Sequence, residues 1–177
     1  GSGRGTGTGS GSGSGTGSNG DSGSNGGSGS NGGSGGLLPC PATYLLTDPN
    51  HPGSQYRKVT ASTSWAGAEQ DCESDEVATV TGPAHLMVLD DQNEAVFAWS
   101  QNNSNQWLGH TDSTSEGTFI AVTDQPIVFT GNASGNNATK NCLMTKDSSG
   151  QTSADTCTTG HPYICECDGN AADPAHR

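Results

Sequence analysis

The chain has 177 residues, and its first 36 comprise 18 Gly, 10 Ser, 3 Thr, 3 Asn, one Arg and one Asp, with no apolar side chain. A formal net charge of −12, from 6 Lys and Arg against 18 Asp and Glu, repels phosphate backbones and anionic lipid heads, which argues against nucleic acid and membrane surfaces as partners. No apolar run approaches the ~20 residues of a membrane span.

A segment without apolar surface cannot offset its own ordering entropy. Residues 1–36 are therefore expected to be a disordered Gly/Ser-rich linker or stalk, with a coil reach of roughly 30–36 Å. A folded domain is expected over residues 37–169, followed by a disordered C-terminal tail over 170–177. The sequence starts at Gly1, so any signal peptide lies ahead of it.

From Leu37 the texture changes. Tyr44–Leu46 and Tyr56–Thr60 read as short strands around the turn-rich stretch Asp48–Gly53. Ser62 or Thr63 can cap a helix in which Trp65, Ala68 and Cys72 share one face. His85–Leu89 reads as an apolar strand. Asp91 followed by Glu94 resembles a capping box and opens a helix with Ala95, Val96 and Trp99 inward. Strands are expected at Gln106–Gly109, Thr118–Val122, Ile127–Phe129, Cys142–Thr145 and Pro162–Glu166. Residues 130–141 form a long polar loop. Helices early and strands late indicate an α+β fold.

Six cysteines, Cys40, Cys72, Cys142, Cys157, Cys165 and Cys167, favour three disulfides and an oxidising compartment. The alternative, a metal held by Cys165 and Cys167, is a poor zinc template without a second cysteine pair nearby. The five histidines follow no metal-ligand spacing, and no Ser sits in a nucleophile elbow. Glycine runs in the tail match dinucleotide-binding patterns trivially, with no preceding strand. Trp65, Trp99 and Trp107 read as core residues. Asn102, Asn132 and Asn137 begin glycosylation sequons.

The order of motifs resembles the C-type lectin-like domain. The matching pieces are Cys40-Pro41-x-x-Tyr44, Ser64-Trp65-x-x-Ala68-x-x-x-Cys72 and His85-Leu86. Trp107-Leu108-Gly109-x-Thr111-Asp112-x-x-x-Glu116-Gly117-x-Phe119 follows, and Cys142…Cys157…Tyr163-Ile164-Cys165-Glu166 closes the series. The resemblance covers about residues 38–168. It implies two helices flanking small antiparallel sheets, with a long polar loop projecting from one end. It also implies the disulfides Cys72–Cys165 and Cys142–Cys157, the second closing a loop of about 15 residues worth roughly 3 kcal/mol. Cys40 and Cys167 are then paired by parity.

Sugar-binding members of this family hold a calcium ion with loop carboxylates and amides, and the ion coordinates two sugar hydroxyls. The corresponding loop motif here reads Ser134-Gly135-Asn136, the usual Glu before the loop cysteine is Lys140, and the Trp-Asn-Asp motif falls on Thr152-Ser153-Ala154 with Asp155 one place out of frame. The usual calcium–sugar site is therefore expected to be lost. Asp112 and Glu116 keep the spacing of an auxiliary calcium site, which Asn137 and Asn141 could complete, so the cofactor expectation is none or weak calcium. Lys140 is expected to stand between Asp112 and Glu116 as a substitute cation, or else all three are solvated. The sequence thus reads as an extracellular, secreted or cell-surface, non-enzymatic recognition domain. It would bind a carbohydrate or a protein surface through the 130–156 loop region, with Ser134, Asn136, Asn137, Lys140 and Asp155 as contact residues. The alternative is a calcium-independent protein-binding or structural adhesion module.

Overall fold

The computed structural model describes Gly1, residues 38–123 and residues 125–176. Apart from Gly1, the expected Gly/Ser linker lies outside the described residues. The domain runs β1 Leu46–Asp48, β2 His51–Thr63, α1 Trp65–Glu73, β3 His85–Leu86, α2 Gln92–Asn102, β4 Trp107–Thr111, β5 Ile120–Ala121, β6 Cys142–Thr145, β7 Thr152–Asp155 and β8 His161–Cys167. This is the α+β fold with two helices that the residue order implies. The strands form one mixed sheet in the order β1-β2-β8-β4-β6-β7, with β3 paired to β8 and β5 to β4. All pairings are antiparallel except that of β4 with β8.

Strand alternation divides the core into two layers. Leu86, Trp107, Met144, Tyr163 and Cys165 join Trp65, Ala68 and Cys72 of α1 on one face. Met87, Leu108, Leu143 and Ile164 join Ala95 and Ala98 of α2 on the other. Both indoles are satisfied: Trp65 Nε1 donates to the Leu108 carbonyl at 2.7 Å and Trp107 Nε1 to the Thr63 carbonyl at 2.9 Å. Gly109 is required by close approach, because a Cβ there would lie 2.5 Å from the Leu86 carbonyl oxygen.

The helices start where short polar side chains accept from the first turn. Ser64, one residue beyond the expected caps, accepts from the Gly67 amide, and Asp91 accepts from the Glu94 amide. Glu94 reaches back to the Asp90 amide, one residue before the cap, and also accepts the Tyr56 hydroxyl. The inward face of α2 is Glu94, Ala95 and Ala98, whereas Val96 is exposed and Trp99 only half-buried. Small residues let this helix sit close to the sheet, which overrides the preference for burying the bulkier Val96.

The first strand begins at Leu46 rather than Tyr44, and β2 resumes at His51 within the expected turn. Ile127–Phe129 forms no strand, whereas Thr152–Asp155, which has no apolar pattern, becomes β7 by pairing in register with β6. Residues 170–176, expected to trail away as a disordered tail, instead dock on the end of β5. The Asp173 amide donates to the Val122 carbonyl, Ala172 bridges Thr123, and Pro174–His176 makes a 3-10 turn whose His176 Nδ1 lies 2.8 Å from the Ala121 carbonyl.

Three disulfides close the fold: Cys40–Cys167, Cys72–Cys165 and Cys142–Cys157. Beside the second, Arg57 Nη2 reaches Asp71 at 2.8 Å and Asp75 at 2.5 Å, while the Tyr44 and Tyr163 hydroxyls donate to those two carboxylates. Strand β2 is thereby tied to α1 and β8 by a charged network as well as by packing.

His110 in β4 is fully buried, and neither ring nitrogen has a hydrogen-bond partner among the described residues. Burial, reinforced by the charge of His85, pushes its pKa down to about 4. The unfolded chain takes up this proton near pH 6.5 and the folded chain only near 4, so the stabilising contribution is complete above the first value and lost as pH falls toward the second. The expected loss is on the order of 3 kcal/mol across that window. His110→Leu should flatten this part of the pH profile in urea denaturation at pH 7 and pH 4.5. Parallel profiles for the two proteins would refute the assignment.

Candidate functional site

The polar segment from Thr130 to Asn141 is held against the β6–β7 hairpin by its own backbone. Ser134 forms a parallel bridge to Ser153: its amide donates to the Thr152 carbonyl at 3.2 Å, and the Ala154 amide donates to the Ser134 carbonyl at 2.9 Å. The Thr152 hydroxyl donates to the Thr130 carbonyl and accepts from the Ala133 amide. Gly131 has φ +66° and packs directly on Thr152, so the turn needs both the left-handed backbone and the absence of a Cβ. These bonds lay the loop down as an irregular extra strand beside β7.

Beyond Ser134 the chain turns over Asp112, which follows β4 and is buried. One carboxylate oxygen of Asp112, Oδ2, accepts from Asn136 Nδ2 and from the Gly117 amide, each at 2.7 Å. The Asp112 amide donates to the Asn141 carbonyl at 3.0 Å. Asn137 is exposed and spends its side chain locally: its oxygen accepts from the Thr139 amide and hydroxyl, and its nitrogen donates to the Gly135 carbonyl. The amide that reaches Asp112 is therefore that of Asn136, with Asn137 turned outward.

Lys140 does not stand between Asp112 and Glu116. Its ammonium lies 3.9 Å from Asp155 Oδ1, and Glu116 is exposed on its turn. The reason is local: Asp112 is already supplied with two N–H donors, whereas Asp155, at the end of β7, faces the loop with room for a cation. Asp155 also accepts from the Thr156 amide at 2.8 Å and lies 3.0 Å from His161 Nε2. Desolvation pushes the Asp155 carboxyl up, but the His161 and Thr156 hydrogen bonds and the Lys140 charge outweigh it and hold the group below its usual range. His161 in turn stacks edge-on against Trp107, centroids 4.6 Å apart. A core tryptophan thus positions the histidine that orients Asp155.

Of the residues expected to form a binding surface, Ser134, Asn136, Lys140 and Asp155 are brought together around the loop and β7. Asn137 stands outside them on the exposed turn. His161 belongs to the same constellation and carries no local sequence signal, because its role depends on a contact six residues away across the turn that joins β7 to β8.

The residues present do not fit a calcium ion of the sugar-bridging kind. Ser134, Gly135, Lys140 and Thr152–Ala154 supply no carboxylate at the positions where the ion needs them. The auxiliary position differs. Asp112 Oδ1, Asn136 Oδ1 and Asn141 Oδ1 are buried acceptors without a donor among the described residues. Three such oxygens, with one formal charge among them, suit weak coordination of a hard cation or an ordered water.

Asp112 is the polar anchor of the loop and Lys140 its exposed tether. Asp112→Ala strands the Gly117 amide and the Asn136 side chain and is expected to cost about 2–3 kcal/mol in chemical denaturation. Lys140→Ala should cost no more than about 1 kcal/mol, since that pair is solvent-screened. Equal losses for the two variants would contradict this division of roles.

A model of the lectin C-type domain matches residues 61–167. Among solved structures, the C-type lectin CEL-I from Cucumaria echinata aligns with 19% identity over 72% of this chain and 96% of its own, at a TM-score of 0.61. A calcium-independent type II antifreeze protein aligns at 18% identity over 78% of this chain and 98% of its own, also at 0.61. The cow carbohydrate-recognition domain of CD23, solved with an oligosaccharide, aligns at 21% over 73% of this chain and 96% of its own, at 0.58. At these identities the likeness is one of fold. No curated protein sequence matches the chain.

Proposed function

The chain belongs to the C-type lectin domain family, and from that premise we propose that it is a non-enzymatic recognition domain working without the family's usual calcium–sugar bridge. Members of the family are generally binding domains, and disulfide-bonded ones are typically extracellular. The proposed surface is the 130–156 region, with Ser134, Asn136, Lys140 and Asp155 on its walls, and the proposed location is secreted or cell-surface. Three disulfides agree with an oxidising compartment. Among the described residues no helix is long and apolar enough to cross a membrane.

The observation that carries the calcium-free reading is the placement of the Lys140 ammonium, 3.9 Å from Asp155 Oδ1. Asn136 is the one residue retained from the usual ligand set, and its side-chain nitrogen donates to Asp112 at 2.7 Å. The Lys140 ammonium then takes a position where the family places a carboxylate, adding a positive charge where a calcium ion would need a negative one. The ligand is a carbohydrate or a protein surface bound through hydrogen bonds and the polar group Lys140, Asp155 and His161. A calcium-independent adhesion module is the second reading, favoured by the hydrogen bonds that hold the loop to β7.

Immobilised glycans and extracellular proteins probed with the full chain, with and without chelator, test the proposal. Binding to any positive surface should be indifferent to chelator and should weaken about tenfold in Asp155→Asn, which discharges the wall shared by Lys140 and His161. Glycan binding abolished by chelator and restored by calcium would overturn it. Calcium additions should leave the thermal midpoint unchanged up to roughly millimolar levels, the range of weak extracellular sites.

A further inference from the structure

At the opposite end of β8 from His161 and the 130–156 loop constellation, β3 and the last residues of β8 hold a second polar cluster. His85 is fully buried, and its Nδ1 lies 2.8 Å from the Leu86 carbonyl. Nδ1 donates to that carbonyl, and Nε2 faces Asp168 Oδ1, 3.1 Å away. Glu166, on the strand paired with His85, is 2% exposed. One ligand atom from each of His85, Glu166 and Asp168 lies within 4.8 Å of the others. The cluster borders a cleft of about 290 Å³ whose polar lining includes Asp90, Thr123, Gln125, Glu166, Asp168 and Asn170.

We propose that His85 Nε2, Glu166 and Asp168 bind a divalent transition metal of the zinc class at the floor of this cleft. Zinc takes imidazole nitrogen and carboxylate oxygen at about 2.0–2.2 Å, which places neighbouring donors about 3.3 Å apart. The 3.1 Å between Nε2 and Asp168 Oδ1 already approaches that spacing. The outer partners that such ligands require are also in place. The Leu86 carbonyl orients the imidazole, the Val88 amide donates to Glu166 Oε2 at 3.0 Å, and the Asn170 amide donates to Asp168 Oδ1 at 2.8 Å. The cleft leaves the fourth position open to water or to a ligand atom. An imidazole among the donors disfavours calcium, which takes oxygen.

Metal entry displaces the proton shared by His85 Nε2 and Asp168 Oδ1 to solvent and places a dication beside the Glu166 and Asp168 carboxylates.

Zinc titration of the full chain, read by competition with a chromophoric chelator, tests the site. One zinc per chain should bind, roughly a hundredfold tighter than calcium. Asp168→Asn should weaken zinc at least about tenfold while keeping its near-ultraviolet circular dichroism. Asp112→Asn should leave zinc binding unchanged. So should His51→Gln, which removes the imidazole of the separate cluster His51, Asp90 and Glu94. Should Asp168→Asn fail to fold, the His85 ring proton resonances of the wild-type chain must shift in step with one equivalent of zinc. Absence of uptake at about millimolar zinc, uptake unchanged in Asp168→Asn, uptake lost in His51→Gln, or an unshifted His85 would each overturn the proposal.

Discussion

Three buried glutamates organise this domain by accepting alternate amides of one short segment. The Leu86 amide donates to Glu69 of α1 at 2.7 Å, the Val88 amide to Glu166 of β8 at 3.0 Å, and the Asp90 amide to Glu94 of α2 at 2.6 Å. Between them, the Met87 amide goes to the Ile164 carbonyl. A strand only two residues long thus gains three further anchors, one from each helix and one from the central strand. Leaving these amides unpaired in the interior would cost about 1–3 kcal/mol each, so the carboxylates stand where an additional strand would otherwise be needed. Both helices are fixed to the sheet by side chain-to-backbone bonds as much as by apolar contact.

That solution concentrates acidity in the core. Glu69, Glu94 and Glu166 are all nearly inaccessible, and burial raises the carboxyl of each above its ordinary range. Tyr56 donates to Glu94 at 2.7 Å, and His85 sits beside Glu166 and Asp168. The chain's surplus of acid is therefore partly structural, and its net charge overstates how negative the surface is. The 130–141 loop uses the opposite economy: a single buried carboxylate, Asp112, gathers one backbone and one side-chain donor, and Lys140 pairs with Asp155 nearer the surface.

What the sequence makes legible is whatever depends on spacing along the chain. The positions of the cysteines and of Trp65, Trp107 and Gly109 carry the family resemblance, which in turn implies Cys72–Cys165 and Cys142–Cys157, and Cys40–Cys167 follows by parity. Asp91 and Glu94 announce the start of α2, since capping is local chemistry. The inward face of that helix is not legible from hydrophobicity, because its buried stripe is Glu94, Ala95 and Ala98. Trp65, Glu69 and Cys72 do share one helical face, so the burial of Glu69 leaves a trace at i, i+4 spacing that an apolar scan passes over. Within the polar loop, nothing local distinguishes Asn136 from Asn137; which amide turns inward is decided by Asp112 and the Gly135 turn. The partners of Lys140 and Asp155 are likewise settled by tertiary placement, as is the His85 cluster, in which His85 stands more than eighty residues from Glu166 and Asp168.

The Cys40–Cys167 bridge brings the start of the described domain within 5.8 Å, Cα to Cα, of the final residue of β8. Strand β8 runs between β2 and β4, and its opposite end carries His161, about 20 Å away at the usual rise per residue. A mechanical load applied through the backbone ahead of Leu38 would therefore pass through a covalent bond into the most interior strand. It would meet the β2–β8 ladder lengthwise, in shear, with all its rungs loaded together, and would not unzip an edge hairpin one bond at a time. The grip is placed so that tension applied ahead of Leu38 reaches the 130–156 region last.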